Sequence, residues 1–193
     1  MPPLLSQRFE DALVLATRLH ARQKRKGTNI PYIAHLMAVA GLVLENGADE
    51  DVAIAALLHD AIEDQGGAST REDIRRRFGE RVVEIVIGCT DAETTPKPPW
   101  RQRKEAYIEH IAHADPAVRL VSAADKLHNA RAILADYRAL GESLWKRFTG
   151  GKEGTLWYYR TLVETYRQAG PTPLTEEFDR VVAEIERLAQ CAP

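Results

Sequence analysis

Four residues that could bind a metal ion or activate water directly follow an apolar stretch of the chain. Residues 54–58 are apolar or small, and the polar residues after them are His59, Asp60, Glu63 and Asp64. On a helix, side chains four positions apart share a face, so His59 is expected to lie over Glu63, and Asp60 over Asp64. Three carboxylates and an imidazole at the end of a buried helix would repel one another and resist desolvation. A divalent cation would remove that conflict, because it binds neutral imidazole and ionised carboxylate.

Two further residues extend this group. His35 is predicted to face inward on a helix that opens at Pro31, and Asp125 follows small residues in the middle of a long helix. A carboxylate in such an apolar setting needs a partner. The neighbouring Lys126 is not expected to be that partner, because adjacent helical residues point apart. The order His, His-Asp, Asp across three helices indicates one shared metal ion, although each residue alone is compatible with a hydrogen-bonded side chain in the core.

Helices are predicted for most of the chain, because apolar residues recur at helical spacing and no convincing pair of alternating strands occurs. The class is therefore all-α, a helical bundle of roughly nine or ten helices in a single domain, residues 1–193. A capping box is predicted at residues 69–72, and the glycines at 150, 151 and 154 predict a mobile connection. The predicted helices cover residues 4–24, 31–45, 49–62, 69–78, 80–90, 100–112, 116–138, 156–168 and 174–189.

Composition excludes several classes of protein. The chain has 193 residues, is 45% hydrophobic and 28% charged, and carries a net charge of -2, which does not favour binding to a nucleic-acid polymer or an anionic membrane. Two cysteines, Cys89 and Cys191, do not make a disulfide framework, so a reducing cytoplasm is expected. Neither a signal-peptide pattern nor a membrane-length apolar stretch occurs, and the oligomeric state is left open.

The distribution of charge is more informative than its sum. Residues 22–26 read Arg-Gln-Lys-Arg-Lys, and residues 97–104 contain four cations and no acid. These two basic segments lie on either side of the acidic cluster at 60–64 along the chain. A phosphate ester that must approach a cation suits this arrangement, so a small-molecule nucleotide substrate is expected. The alternative is an ordinary solvated surface with no ligand.

The ordered motifs resemble the HD superfamily of metal-dependent phosphohydrolases, and more narrowly the hydrolase domain of the RelA/SpoT family. The blocks that carry the resemblance are His20-Ala-Arg-Gln-Lys-Arg-Lys26, Pro31-Tyr-Ile-Ala-His35, Ala55-Ala-Leu-Leu-His-Asp-Ala-Ile-Glu-Asp64 and Ala124-Asp-Lys-Leu-His-Asn-Ala-Arg131. The resemblance covers roughly residues 10–138. It implies an HD-domain helical bundle and a stand-alone small alarmone hydrolase, which uses one Mn²⁺ to hydrolyse the 3′-pyrophosphate of guanosine tetra- or pentaphosphate.

The resemblance also implies a role for each matching residue. The implied metal ligands are His35, His59, Asp60 and Asp125. The implied catalytic residues are Glu63, Asp64 and Asn129, the last with a helix-to-helix hydrogen bond as its alternative role. The implied substrate-binding residues are Arg25, Lys26, Lys97, Arg101 and Lys104. Two histidines and two carboxylates suit Mn²⁺, Fe²⁺ and Zn²⁺ alike, so the residues themselves leave the metal open.

Two features depart from the family pattern. Leu36 replaces the proline that usually follows the residue equivalent to His35. The segment 148–159 is unlike that of the long enzymes, and one interpretation is a glycine-hinged flap with Lys152 reaching phosphate. The alternative is a core cluster of its aromatic residues, which we favour for two of the rings at 157, 158 and 159. This segment leaves guanine and adenine alarmones equally open as substrates.

Hypotheses from other classes are kept beside the leading one. The chain could be an HD phosphohydrolase of another nucleotide, including the 2′-phosphate of NADPH, or a non-catalytic nucleotide-sensing module. It could also end its third helix at the surface, with solvated acids and His59 as a cap. An oxygenase on the same scaffold is disfavoured, because His110, His113 and His128 lie outside the expected ligand positions.

Overall fold

The computed structural model of the protein describes residues 4–91 and 96–190. Within these ranges the all-α prediction is confirmed, with ten α-helices, one 3-10 helix and no strand beyond an isolated antiparallel bridge between Lys24 and Pro31. The α-helices are α1 Gln7–Leu19, α2 Ile33–Glu45, α3 Glu50–Leu58, α4 Ala61–Asp64, α5 Ala68–Phe78, α6 Glu80–Cys89, α7 Trp100–His113, α8 Pro116–Leu140, α9 Gly151–Gln168 and α10 Pro173–Gln190. The 3-10 helix, η1, spans Gly141–Arg147.

The chain divides into two compact units. The first comprises Met1–Lys97 and Asp115–Ala124, and the second comprises Pro98–Ala114 and Asp125–Pro193. The single domain predicted for residues 1–193 stays a prediction. Cys191 and residues 94–95 of the predicted loop lie outside the described ranges. Among the helices that are described, none is both long enough and apolar enough to cross a membrane.

Helix α3 is the centre of the first unit. Every residue from Val52 to Leu58 is buried, and the helix packs against α1, α2 and α6. A helix that is apolar on all sides is stable only when neighbours cover all of them. Asp49 fixes its beginning, because the carboxylate accepts a hydrogen bond of 3.1 Å from the backbone N–H of Val52. The polar residues after Leu58 are therefore held at the end of a fully buried element.

The helix predicted over residues 49–62 is interrupted in the structure. Helix α3 ends at Leu58, and α4 begins at Ala61 after a junction formed by His59 and Asp60. Both junction residues keep right-handed helical backbone angles, and the Asp64 N–H still donates to the Asp60 carbonyl over 3.0 Å. Asp60 and Asp64 therefore remain one helical turn apart, although the helix is interrupted between α3 and α4.

The capping box predicted at residues 69–72 is wrong. Helix α5 begins at Ala68, with Gly67 at its N-cap, and the Ser69 hydroxyl donates to the Gly66 carbonyl over 3.0 Å. Gly67 has a φ of 56°, in the left-handed region that favours glycine. The turn at Gly66 and Gly67 starts α5 one residue before Ser69, so Ser69 lies inside the helix and does not cap it.

The mobile connection predicted at residues 150–154 is also wrong, because α9 already begins at Gly151 and contains Gly154. A β-carbon added at Gly150 would lie 2.6 Å from the Trp100 ring, and one added at Gly154 would lie 3.1 Å from it. These two glycines allow the first turn of α9 to approach the indole at the start of α7. The glycines therefore serve close packing within the second unit.

One glycine of the first unit makes a testable contact of the same kind. A β-carbon at Gly88 in α6 would lie 2.7 Å and 2.9 Å from the two methyl carbons of Val118. We expect Gly88→Ala to destabilise the protein by about 1–3 kcal/mol, because an overpacked contact must push α6 and Val118 apart. Thermal unfolding of the full chain measures this as a fall in Tm of roughly 2–4 °C per kcal/mol.

Gly41→Ala is the matched control, because Gly41 also lies inside a helix and a β-carbon there would meet nothing within 4 Å. This change is expected to stabilise the protein by up to about 1 kcal/mol through helix propensity. Equal stability of the two variants would contradict the packing argument for Gly88.

Candidate metal centre and active site

The end of the buried helix α3 holds the His59 ring in one orientation. The side chain is 2% exposed, and its Nδ1 lies 2.8 Å from the Ala56 carbonyl oxygen. Because a carbonyl only accepts, Nδ1 carries a hydrogen and donates it, and Nε2 is the ring nitrogen that faces Asp60. A backbone bond of this kind is the usual way in which a metal-binding histidine is oriented.

His35 and Asp60 meet His59 in the first unit. His35, on α2, is 1% exposed, and its ring centre lies 5.2 Å from that of His59. One oxygen of Asp60, Oδ2, lies 3.0 Å from His59 Nε2 and 3.7 Å from His35 Nε2. Three of the four predicted ligands therefore form one His-His-Asp cluster.

This cluster fits a divalent metal ion. Its donor set is two imidazole nitrogens and a carboxylate oxygen, which suits Mn²⁺, Fe²⁺ and Zn²⁺. His59 Nε2 and the Asp60 oxygen lie 3.0 Å apart, so the two atoms are close enough to bind one cation together. The cluster can therefore hold a metal, and its identity is not set by these side chains.

Tyr32 orients Asp60. The Tyr32 hydroxyl donates a hydrogen bond of 2.6 Å to Asp60 Oδ2. The Tyr32 ring is itself stacked on His20, with ring centres 5.3 Å apart and planes 20° apart. Sequence reasoning missed this role, although Tyr32 stands in the block that contains His35. Its position directly after Pro31, at the start of a helix, is the signal that could have pointed to it.

Glu63 is held by two donors at its separate oxygens. The Asp91 backbone N–H donates to Oε2 over 3.1 Å, and the Lys97 ammonium donates to Oε1 over 2.6 Å. Only 16% of the Glu63 side chain is exposed. Lys97, predicted to bind substrate, therefore lies beside one of the predicted catalytic acids.

Asp64 reaches solvent but is also crowded by protein atoms. The amide nitrogen of Gln23 donates to its Oδ2 over 2.7 Å. Partial desolvation raises the pKa of the Asp64 carboxyl, the Gln23 hydrogen bond opposes this, and the charges of Asp60 and Glu63 raise it again. The net direction is upward. Gln23 is the second residue whose role sequence reasoning missed.

Asp125 and Asn129 lie together on α8 in the second unit. Asp125 is 6% exposed and accepts hydrogen bonds of 2.5 Å from both the Asn129 amide and the Lys126 ammonium. The expectation that Lys126 could not pair with Asp125 is wrong, because the long flexible stem of lysine lets its ammonium fold back. Burial alone would lower the pKa of Lys126, but the Asp125 carboxylate raises it well above its ordinary value.

The other basic residues occupy several environments. In the first unit, the Arg25 guanidinium lies 5.9 Å from the centre of the Tyr32 ring, and Lys26 is exposed. In the second unit, Arg101 lies over the Trp157 ring at 3.2 Å, and Lys104 lies over Tyr158 at 4.8 Å. These cations cover aromatic faces, as guanidinium and ammonium groups commonly do.

The segment 148–159 is built around aromatic packing in the second unit. Tyr158 is buried, and its ring contacts those of Trp100, Trp157 and Tyr159. The Lys152 ammonium donates hydrogen bonds of 2.8 Å to a carboxylate oxygen of Glu142 and to the Ala189 carbonyl. Substrate binding by Lys152 stays a prediction.

The family model described as HD domain matches residues 12–155. The chain belongs to the HD domain family. The confirmed helical fold and the His-His-Asp cluster agree with this membership. The predicted HD-superfamily resemblance is therefore confirmed.

Several of the proteins that are similar to this chain are named for one hydrolase activity. The guanosine-3′,5′-bis(diphosphate) 3′-pyrophosphohydrolase MESH1 of Xenopus tropicalis is 40% identical over 124 residues, and MESH1 of Homo sapiens is 36% identical over the same length. Each alignment covers 63% of this chain and 66% of the relative, so the chain spans just under two thirds of their length. The corresponding enzyme of Aquifex aeolicus is 35% identical over 131 residues, which are 68% of this chain and 18% of the relative.

Solved structures share the fold of this HD domain. The structure of a metazoan orthologue of SpoT that hydrolyzes ppGpp matches with a TM-score of 0.77 and 27% identity, over 95% of this chain and 97% of the other. The structure of lmo0812 from Listeria monocytogenes EGD-e matches with a TM-score of 0.68 and 28% identity, over 81% and 99% of the two chains.

Tyr32 provides a test of the metal centre. Removal of its hydroxyl in Tyr32→Phe leaves Asp60 without that hydrogen bond, and loss of such an outer partner costs about 10–100-fold in metal affinity. We expect the Kd for Mn²⁺, measured by isothermal titration calorimetry on the full chain, to rise by at least about 10-fold.

Tyr137→Phe is the matched control, because it removes an equal hydroxyl-to-carboxylate bond of 2.6 Å, to Glu142 in the second unit. Its Mn²⁺ affinity should stay at the wild-type value. Wild-type affinity in Tyr32→Phe would contradict the role of the hydroxyl.

Proposed function

We propose that the chain is a metal-dependent phosphohydrolase that removes the 3′-pyrophosphate from guanosine tetra- or pentaphosphate. The observation that carries this proposal is the cluster of the buried His35 and His59 with the half-buried Asp60, followed within one turn by Glu63 and Asp64. The names of the relatives, pyrophosphohydrolases of this substrate, support the same conclusion. The adenosine alarmones are a second substrate class within the proposal.

The proposed metal ligands are His35, His59, Asp60 and Asp125. Asp125 directly follows Ala124, the last α8 residue of the first unit, within one uninterrupted helix. Support for its inclusion comes from its burial as a carboxylate and from its match to the ligand position of the RelA/SpoT motif. Asn129 and Lys126 donate hydrogen bonds to the Asp125 carboxylate and would then orient it as a ligand.

We propose Mn²⁺ as the metal, on the resemblance to the RelA/SpoT hydrolases. When bound, a divalent cation supplies Lewis-acid chemistry: it stabilises negative charge on phosphoryl oxygens and makes water more acidic. The protein supplies the remaining steps with its own side chains.

Glu63 is the proposed general base. Its two oxygens are fixed by the Asp91 N–H and the Lys97 ammonium, so the carboxylate is already oriented before substrate arrives. It accepts one proton from the attacking water, while Asp64 accepts a hydrogen bond that aligns this water. A P–O bond forms to the water oxygen, and the bond between phosphorus and O3′ breaks. The oxygen O3′ keeps the electron pair and takes up the proton, and pyrophosphate leaves.

The proposed substrate-binding residues are Arg25, Lys26, Lys97, Arg101, Lys104 and Lys152. Arg25 lies near the Tyr32 ring, and a guanidinium plane in that position could also stack on a purine. Lys97 now pairs with a carboxylate, and Arg101 and Lys104 lie over aromatic rings. A substrate phosphate would replace these partners, because it attracts the same cations more strongly. We also propose a cytoplasmic location, in keeping with the presence of only two cysteines.

Product analysis on the Mn²⁺-loaded full chain tests the activity. Guanosine and adenosine alarmones and NADPH are the substrates, and released pyrophosphate and phosphate are measured separately. Pyrophosphate from an alarmone is expected. Phosphate from NADPH alone would favour the other phosphohydrolase, and no product from any substrate would refute catalysis.

Glu63→Gln tests the general base. We expect kcat to fall by about 10²–10⁴-fold, because the amide cannot accept the proton. Binding of Mn²⁺, measured by calorimetry, should be retained, whereas Asp60→Ala should lose it. Glu177→Gln is the control, since it alters an exposed ion pair to Arg180 and should leave kcat unchanged. Full activity in Glu63→Gln would show that another group takes the proton.

A further inference from the structure

Gln23 connects three residues near the candidate active site. Its Oε1 lies 2.6 Å from both His20 Nδ1 and Gln65 Nε2, and its Nε2 donates to Asp64 Oδ2 over 2.7 Å. We call these four residues the glutamine bridge. All of them belong to the first unit.

The partners of Gln23 define which way its amide points. Gln65 Nε2 can only donate, so the Gln23 atom beside it is the carbonyl oxygen. Asp64, when ionised, can only accept, so the Gln23 atom beside it is the amide nitrogen. A flipped amide would place its carbonyl oxygen against the Asp64 carboxylate and lose that bond.

The backbone of Gln23 is fixed as well. Its N–H donates to the His20 carbonyl over 3.0 Å, and its carbonyl accepts from the Tyr32 N–H over 3.0 Å. The antiparallel bridge between Lys24 and Pro31 follows immediately. The side chain therefore starts from a rigid point and reaches Asp64 without freedom to turn.

His20 is fixed by its contacts with Tyr32 and Gln23. The ring is 2% exposed and stacked on Tyr32, and its Nδ1 is the atom that contacts Gln23. Among the described residues, its Nε2 has no hydrogen-bond partner. The contact with Gln23 is thus the polar interaction that the structure gives to this buried ring.

We propose that Gln23 is a positioning residue, which holds the carboxylate of Asp64 in one orientation. This inference rests on the proposed function, where Asp64 aligns the attacking water. The amide nitrogen of Gln23 donates to Asp64 Oδ2, and the other end of the same amide is held by His20 and Gln65. The carboxylate is therefore tied to a side chain that is itself fixed.

Gln23→Met tests the proposal, because methionine has a similar shape and no donor. We expect kcat for the alarmone to fall by about 10–100-fold, with KM within about threefold of wild type. The loss is expected in kcat and not in KM, because Asp64 is proposed to align the attacking water and not to bind the nucleotide.

Gln7→Met is the matched control, since it removes an amide-to-carboxylate bond of 3.3 Å, to Asp11, that has no part in this arrangement. Its kcat should stay at the wild-type value. Gln23→Glu is the second variant, for the case in which Gln23→Met does not fold. It is isosteric and places a carboxylate against Asp64, so repulsion should displace Asp64 and kcat should fall at least as far.

A readout without turnover separates this proposal from the proposed function. In a crystal structure of the full chain with Gln23→Met, the Asp64 carboxylate should leave its wild-type orientation, whereas in Gln7→Met it should keep it. If wild-type protein hydrolyses no alarmone, the proposed function fails and the crystal structures alone decide the role of Gln23. Unchanged kcat and an unmoved Asp64 carboxylate in the folded Gln23 variants would overturn the proposal.

Discussion

A buried apolar helix that ends in charged residues must find partners for them within a few ångströms. Helix α3 leaves no polar face, and His59 and Asp60 follow its last residue directly. Moving a carboxylate out of water costs several kcal/mol unless it is paired. The hydrogen bond between His59 and the Ala56 carbonyl resolves part of the conflict locally, since it fixes the ring and directs the other nitrogen toward Asp60.

The three carboxylates at 60, 63 and 64 are each stabilised by a separate donor from elsewhere in the first unit. The donors are the Tyr32 hydroxyl, the Asp91 N–H with the Lys97 ammonium, and the Gln23 amide, in the order of the acids. A metal ion is therefore not the only group that offsets this concentration of negative charge. The protein orients each acid independently, which suits groups that are proposed to perform different tasks.

Composition and spacing were sufficient to predict α3, the all-α class and the meeting of His35 with the His59–Asp60 pair. These features depend on local periodicity and on an extreme hydrophobic pattern, both of which are visible in the sequence. The roles of Tyr32 and Gln23 were not predictable in this way, because their partners are 28 and 41 residues away in the chain.

The glycines at 150 and 154 illustrate why the remaining errors arose. Glycine in a sequence suggests flexibility, yet here its lack of a side chain makes room for Trp100, about 50 residues earlier. The partner that gives such a glycine its meaning cannot be identified from local pattern. The same limit applied to Ser69, whose capping role was pre-empted by the backbone of Gly67.

The burial of α3 on every side has a consequence for assembly. An isolated segment of this composition has no surface that water solvates well, so it gains stability only when α1, α2 and α6 enclose it. His59 and Asp60 can thus be brought to His35 only once that enclosure is complete. Metal binding and folding are therefore thermodynamically linked. An ion that binds only the assembled cluster stabilises the folded state relative to every partially folded one.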